Sequence, residues 1–315
     1  MGVISRISTN SREDWLALRH KYIGGSDAAA VVGMNVFSSP YALWAEKTGK
    51  TPPFEGNMAT KVGTFLEEFV AQEFTATTGK KVRRCNQSIF NSDYPWAIAN
   101  IDREIVGEDA GLEIKTTSEL NLKRFKGGDF PVHYYVQCIH YLAVTGKKRW
   151  YLAVLIGNKD LRIFVIERDE EEIAALMKQE ESFWYYVQND LEPPADGSKA
   201  TSEAIKTIYV ESNGTSVDLY GYEQDLENYF RLKKQIDELS GMREEIANRL
   251  KVYMGEAAMG EVGSYKVTWQ TQPRKTFDAK RFAADHPSVA LEKYYKTSTS
   301  RVFKVTEKKE KNYGI

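Results

Sequence analysis

Asp102, Glu113 and Lys115 are the residues whose types and spacing first suggest chemistry. They lie in residues 98–116, where two alternating apolar and polar runs flank a segment bounded by Gly107 and Gly111. This is how a hairpin of two half-buried strands is written. Asp102 belongs to the first strand. Glu113 and Lys115, two apart on the second strand, share one face, with Leu112 and Ile114 on the other. Two carboxylates and an ammonium on one face are costly to assemble without a use. The chemistry they suit is phosphodiester hydrolysis with a hard divalent cation. Mg²⁺ takes oxygen ligands and keeps several waters, so one or two carboxylates and a substrate phosphate complete its shell. A bound metal makes hydroxide available near neutral pH and neutralises charge on phosphate oxygens. Lys115 then orients the attacking water or stabilises the transition state from the side. On these three residues alone the simpler reading wins: Glu113 and Lys115 as a solvated pair worth about 0.2–1 kcal/mol.

The elements that must hold these residues are read from the rest of the chain. Its 315 residues suffice for one large domain or two ordinary ones, and 42% hydrophobic, 28% charged and 12% aromatic residues are a globular composition. There is no run of about eighteen apolar residues and no apolar signal core, so the expectation is a soluble cytoplasmic protein. Cys85 and Cys138 read as buried thiols, and two cysteines are too few for a four-cysteine iron–sulfur or zinc site. His133 and His140, two helical turns apart, are expected to pack or hydrogen-bond. Net charge is −1, but from Arg243 onward 15 Lys/Arg stand against 9 Asp/Glu. That asymmetry permits a phosphate-contacting face, and ordinary scatter of surface charge explains it as well.

Residues 11–18 read as a short helix with Ser11 and Asp14 spaced as a capping box. Ile23-Gly24-Gly25-Ser26-Asp27 then leads into an alanine run, a loop entering a helix. Helix N-termini bind anions, and with Arg19 just upstream this is a candidate phosphate cradle; a plain Ser or Asp cap is the alternative. Pro40 opens a helix that ends at Gly49. Residues 59–78 form a long amphipathic helix with Val62, Phe65, Leu66, Phe69, Val70 and Phe74 on its apolar stripe. Glu67, beside that stripe, either snorkels to solvent or reaches a site on the neighbouring sheet. Strands at 81–90, 98–116, 150–156 and 161–167 with a helix at 132–144 suggest a mixed sheet covered by helices. Gln137 sits in the middle of that nearly all-apolar helix, where a buried amide must find partners such as a phosphate oxygen or the water of a catalytic carboxylate. An acidic helix at 169–189 and a linker at 193–198 follow. Residues 222–254 form a long helix with coiled-coil-like spacing. A strand at 264–270 and interleaved basic and aromatic residues at 274–282, a pattern that suits a nucleic-acid strand but is weak alone, complete the chain.

With these elements in place, the chain resembles the YqaJ-type viral recombinase family, which includes the lambda-type alkaline exonucleases of phage recombination systems. The resemblance rests on Gly24-Gly25-Ser26-Asp27 within residues 19–33, on Leu43-Trp44 and Lys47-Thr48-Gly49, and on Gly63 with Glu67. It continues in Asp102, Glu113-Ile114-Lys115 and Tyr135-Val136-Gln137, in family order across roughly residues 15–160. The turn before Asp102, Asn100-Ile101, departs from the family's small or Pro-containing turn. Residues 222–306 resemble the helical and basic tail of longer members.

The resemblance implies an α/β (α+β) fold: a restriction-endonuclease-like core of the PD-(D/E)xK type, with a mixed central sheet flanked by helices. A long helix and small β extension would follow, dividing the chain into an exonuclease domain at 1–195 and an extension at 196–315 for oligomerisation, DNA or partner contact. It implies that Asp102, Glu113 and the Ile114 carbonyl bind Mg²⁺, or alternatively Mn²⁺, with Glu67 helping to hold metal or hydroxide and Lys115 positioning water. Arg19, Ser26, Gln137 and Asn100 would hold the 5′-phosphate. The implied activity is 5′-to-3′ digestion of one strand of linear double-stranded DNA, leaving 3′ overhangs for a single-strand annealing protein. A trimeric ring, no membrane partner and a phage or prophage origin in a bacterial host go with it. The alternatives are a structure-specific or restriction-like endonuclease, and a non-catalytic DNA-binding or assembly protein.

Overall fold

The alternating run at 110–117 and the apolar run at 149–156 become the centre of a sheet because both of their faces can be covered. The computed structural model describes residues 2–8 and 11–307. In chain order the elements are β1 (Ile4–Ser8), α1 (Arg12–His20), β2 (Ile23–Gly24), α2 (Gly25–Val31), α3 (Pro40–Lys47) and α4 (Met58–Thr78). Then come β3 (Val82–Arg84), β4 (Gln87–Asn91), β5 (Ala97–Ile98), β6 (Arg103–Ile105), β7 (Ala110–Thr117), α5 (Val132–Thr145), β8 (Arg149–Ile156) and β9 (Asp160–Glu167). The chain continues through α6 (Glu170–Gln188), α7 (Lys199–Ile208), α8 (Glu223–Met254), β10 (Met259–Val262), β11 (Tyr265–Thr268) and α9 (Ala279–Asp285).

The main sheet runs β3-β6-β7-β8-β9. Only β7 and β8 are parallel, so the sheet is mixed, and α5 supplies the crossover that a parallel pair requires. The period of two along β7 sorts its side chains. Leu112 and Ile114 pack with Val70, Ala71 and Phe74 of α4 on one face. On the other face Trp150, Leu152 and Val154 of β8 pack with α5 and α6, and Glu113 meets α5 there. Gly111 lies opposite Trp150 in the register, and a Cβ on it would sit 2.3 Å from the indole, so close approach demands glycine. A mixed sheet flanked by helices is the architecture expected from the sequence.

Several details depart from that expectation. Asp102 is not on a strand: the chain breaks after β5 and Asp102 occupies a bend just before β6. The strand expected at 81–90 is two: β3 joins the main sheet, while β4 leaves it to pair with β1. Ser26 does not cap α2; Gly24 is the cap, and the Asp27 carboxylate accepts from its N–H at 3.1 Å. The apolar stripe of α4 is buried only at Val70 and Phe74 and not over its first half, where Phe65 is 84% exposed. The periodicity of an amphipathic helix says which residues share a face, not how far a neighbour extends along it.

The chain divides into two units, Met1–Val210 and Glu211–Ile315, so the break expected after residue 195 lies later. Residues 193–198 do not act as a free linker. Ser198 caps α7 by accepting from Thr201 N–H, and Thr201 meets Ser39 in a buried hydroxyl pair at 2.7 Å. Through this contact α7 belongs to the first unit. The second unit comprises α8, the β10–β11 hairpin and α9; the strand expected at 264–270 is β11. Among the described residues, no helix is long and apolar enough to cross a membrane.

Deep beside the sheet, His140 of α5 and Glu180 of α6 are both fully buried, with Nδ1 and Oε1 2.7 Å apart. Nε2 reaches the Ile98 carbonyl at 3.0 Å. Burial alone depresses a histidine pKa; here the Glu180 charge and hydrogen bond outweigh it and the pKa is raised. The stability contributed by the pair is therefore complete below the unfolded histidine value of about 6.5 and is lost as pH rises through the folded value. Urea unfolding of the wild type and Glu180→Gln should show a stability gap of about 3–5 kcal/mol near pH 6 that narrows as the pH is raised. A gap that stays constant or widens contradicts the assignment.

Candidate active site

A bend followed by a strand brings Asp102 beside the middle of β7, and the main chain fixes it there: Ile114 N–H donates to Asp102 Oδ2 at 2.8 Å. Glu113, only 3% exposed, receives Lys115 Nζ and Gln137 Nε2 on the same oxygen, Oε1, each at 2.7 Å. Its other oxygen, Oε2, is buried with no hydrogen-bond partner. Burial, then the negative charge of Glu113, holds the Asp102 carboxyl well above its ordinary pKa. Lys115 is lowered by burial, but Glu113 and Asp102 outweigh this and its pKa is raised, which keeps it an ammonium. Its Nζ lies 5.5 Å over the Tyr134 ring, a further stabilisation of the cation.

These are marks of a site short of positive charge. Two carboxylates that repel each other and one buried carboxylate oxygen without a donor fit a hard cation that takes one or two carboxylates and leaves its other positions to water and phosphate. Asp102 and Glu113, with the Ile114 carbonyl on β7, are the residues that would hold it. Among the described residues no group of three or more His, Cys, Asp or Glu is placed to hold a metal. Glu67 does not complete such a group: its carboxylate pairs with the buried Arg103 guanidinium. It still lines, with Asp102, a cavity of about 440 Å³.

Gln137 links this centre to the rest of the first unit. Besides Glu113, its Nε2 contacts the Tyr141 hydroxyl at 2.8 Å, and that hydroxyl donates to the Asn100 carbonyl at 3.1 Å. The Asn100 side chain turns elsewhere: its Oδ1 accepts from Trp15 Nε1 at 3.2 Å and Ser88 Oγ at 2.7 Å. Asn100 thus joins the cluster through its backbone, and its amide oxygen is already engaged.

Arg19 and Ser26 lie in an adjoining cavity of about 650 Å³, with Arg19 donating to Ser26 Oγ at 2.7 Å. Asp27 lies 3.7 Å from Arg19 but is paired more closely, at 2.7 Å, with Lys47. Burial raises the Asp27 carboxyl, yet Lys47 and then Arg19 bring it below its ordinary value. Glu46 lines the cavity as well, so its two cations and two carboxylates balance, and Arg19 beside Ser26, held 3.7 Å from Asp27 while Lys47 takes that carboxylate at 2.7 Å, is the cation placed for an anion. Lys47 also donates to the Arg19 and Tyr22 carbonyls at 3.0 and 2.8 Å, which pins the end of α1 over α2.

The geometry therefore brings together Asp102, Glu113, Ile114, Lys115 and Gln137, places Arg19 and Ser26 in the neighbouring cavity, and turns Glu67 and the Asn100 side chain to other partners. Tyr141, Trp15 and Arg103 join the site without having been singled out in the sequence, and Lys47, quoted there only for the resemblance, gains a structural role. Tyr141 carried a signal: it stands four residues after Gln137 on the same helical face. Its ring presses on the start of α2 so closely that a Cβ on Gly25 would lie 2.5 Å from it. This contact couples the Arg19–Ser26 cavity to Gln137 and Glu113.

Residues 14–148 match the YqaJ-like viral recombinase domain. The chain is 39% identical over 311 residues to "Uncharacterized protein YqaJ" of Bacillus subtilis (strain 168), covering 97% of each. It is similar to a crystal structure of an alkaline exonuclease from Laribacter hongkongensis, with 20% identity, a TM-score of 0.48, and coverage of 56% of this chain and 93% of that one. It is also similar to a phage-related exonuclease from Haemophilus somnus 129PT, with 15% identity, a TM-score of 0.42, and coverage of 56% and 98%. On the near-complete match to its Bacillus relative and the domain match around the site, the chain belongs to the YqaJ-like viral recombinase family.

Proposed function

We propose that the chain is a Mg²⁺-dependent nuclease that digests one strand of linear double-stranded DNA from its 5′ end and leaves 3′ overhangs for a single-strand annealing protein. The observation that carries this reading is the Asp102–Glu113 pair, short of positive charge and flanked by Lys115, beside a cavity whose Arg19 and Ser26 suit a phosphate. A protein that only bound DNA would gain nothing from carboxylates facing a polyanion. A divalent cation held there supplies Lewis-acid charge at the scissile phosphate. Lys115, held as an ammonium, orients the attacking water and stabilises charge on the phosphoryl oxygens. Gln137 fixes the rotamer of Glu113, and Tyr141 fixes Gln137. Arg19 and Ser26 hold a terminal 5′-phosphate, which makes the chain end the starting point. Membership in a viral recombinase family supports a role in recombination.

Labelled linear duplex should be shortened from its 5′ ends with Mg²⁺ and left intact with EDTA; nicking of closed circles would mark an endonuclease instead. Lys115→Ala should lower the digestion rate roughly 10²–10³-fold with DNA binding retained, and unimpaired digestion by this variant would remove Lys115 from the chemistry. The wild type should prefer 5′-phosphorylated over 5′-hydroxyl ends by roughly 10-fold, the scale of one charged hydrogen bond. Arg19→Ala should abolish that preference. Equal wild-type rates on the two ends would exclude the phosphate pocket.

A further inference from the structure

The longest element of the chain, α8, buries none of its 32 residues, although it carries a seam that is apolar at every position but Arg243. From Tyr229 to Tyr253 the seam advances in alternating steps of three and four residues, the unbroken heptad pattern of a helix that pairs with another helix. Its large side chains are 43% to 91% exposed. A seam of 25 residues spans about 37 Å. Within its own unit the seam is met at one end, where Phe303 lies edge-on to Tyr229 with centroids 6.4 Å apart.

The order of residues along the seam identifies what covers it. Read from its two ends the seam is the same: Tyr229 mirrors Tyr253, Leu232 mirrors Leu250, and Ile236 mirrors Ile246. A helix whose seam is a palindrome is complementary to itself when turned around. In that antiparallel alignment every one of those layers joins like with like, and only the central layers differ, where Arg243 meets Leu239. The parallel alignment would instead set Arg243 against Arg243 in the buried seam, which like-charge repulsion disfavours. The flanking positions agree with the antiparallel choice. Lys233 falls opposite Ala247, Gln235 opposite Arg249, and Ser240 and Met242 each opposite their own copies, so no two like charges meet. Covering the exposed parts of the seam removes on the order of 800 Å² per helix, the size of a standard interface.

We infer that α8 is a self-association element: two copies of this chain join through an antiparallel α8–α8 pair centred near residue 241. The inference concerns the second unit alone and does not depend on the chemistry proposed for the first.

Light scattering and sedimentation of the full-length chain should give a mass that is an even multiple of 35.9 kDa. The double variant Ile236→Asp/Ile246→Asp, which changes only exposed residues, should have half that mass with its circular dichroism spectrum unchanged. Ser240→Cys should form a disulfide-linked dimer under mild oxidation, because Ser240 faces its own copy across the two-fold axis. Lys233→Cys, on the same edge of the seam but facing Ala247, should remain at the wild-type background. A wild-type mass of one chain, the result if a different protein's helix is the true occupant, overturns the inference. So does a mass that the double variant leaves unchanged, or equal cross-linking of the two cysteine variants.

Discussion

Asp102 and Glu113 repel one another in a place where little water can screen them, and the surrounding structure is arranged to keep them there. Each is held by a different means. Asp102 is bound by a main-chain N–H from the very strand that carries Glu113, so the two cannot separate without breaking the junction of the bend with β7. Glu113 is held on one oxygen by Lys115 and Gln137, leaving the other buried and unsatisfied. A buried carboxylate oxygen with no donor costs on the order of 1–3 kcal/mol or more. The centre of a mixed sheet, walled by α4 and α5, is rigid enough to sustain it.

From that centre the constraint spreads outward through named contacts. Gln137 is aligned by Tyr141, whose hydroxyl reaches the Asn100 carbonyl in the segment leading to Asp102. The Tyr141 ring leaves no room for a side chain at residue 25, which seats the start of α2 against α5. Asp27 on α2 then recruits Lys47, and Lys47 clamps the end of α1, where Arg19 begins. A single network thus relates an anionic centre to the cavity that holds Arg19 and Ser26. The Glu67–Arg103 pair closes the other side.

Much of this was legible in the sequence where local pattern decides structure. The two-residue period of β7 put Glu113 and Lys115 on one face, and an amide in the middle of an apolar helix marked Gln137. What local pattern does not carry is the partner. The bend at Asp102 depends on Asn100 being held by Trp15 and Ser88, distant in sequence. Tyr141 looked like core because an aromatic in an apolar run gives no hint of what its hydroxyl meets. Glu67 was placed correctly beside its stripe, but the competing attraction of Arg103 is a tertiary fact. The helix α7 was missed because its attachment rests on one buried hydroxyl pair, Ser39 with Thr201, across 162 residues of chain.

The central claim is that the Asp102–Glu113 pair is a cation site in its own right, before any DNA is bound. Titration calorimetry of Mn²⁺ into the DNA-free protein tests it directly. The wild type should bind with heat at a site that Asp102→Asn and Glu113→Gln each abolish or weaken at least roughly 10-fold, the loss of one charged ligand. Wild-type affinity unchanged in both variants would contradict the claim.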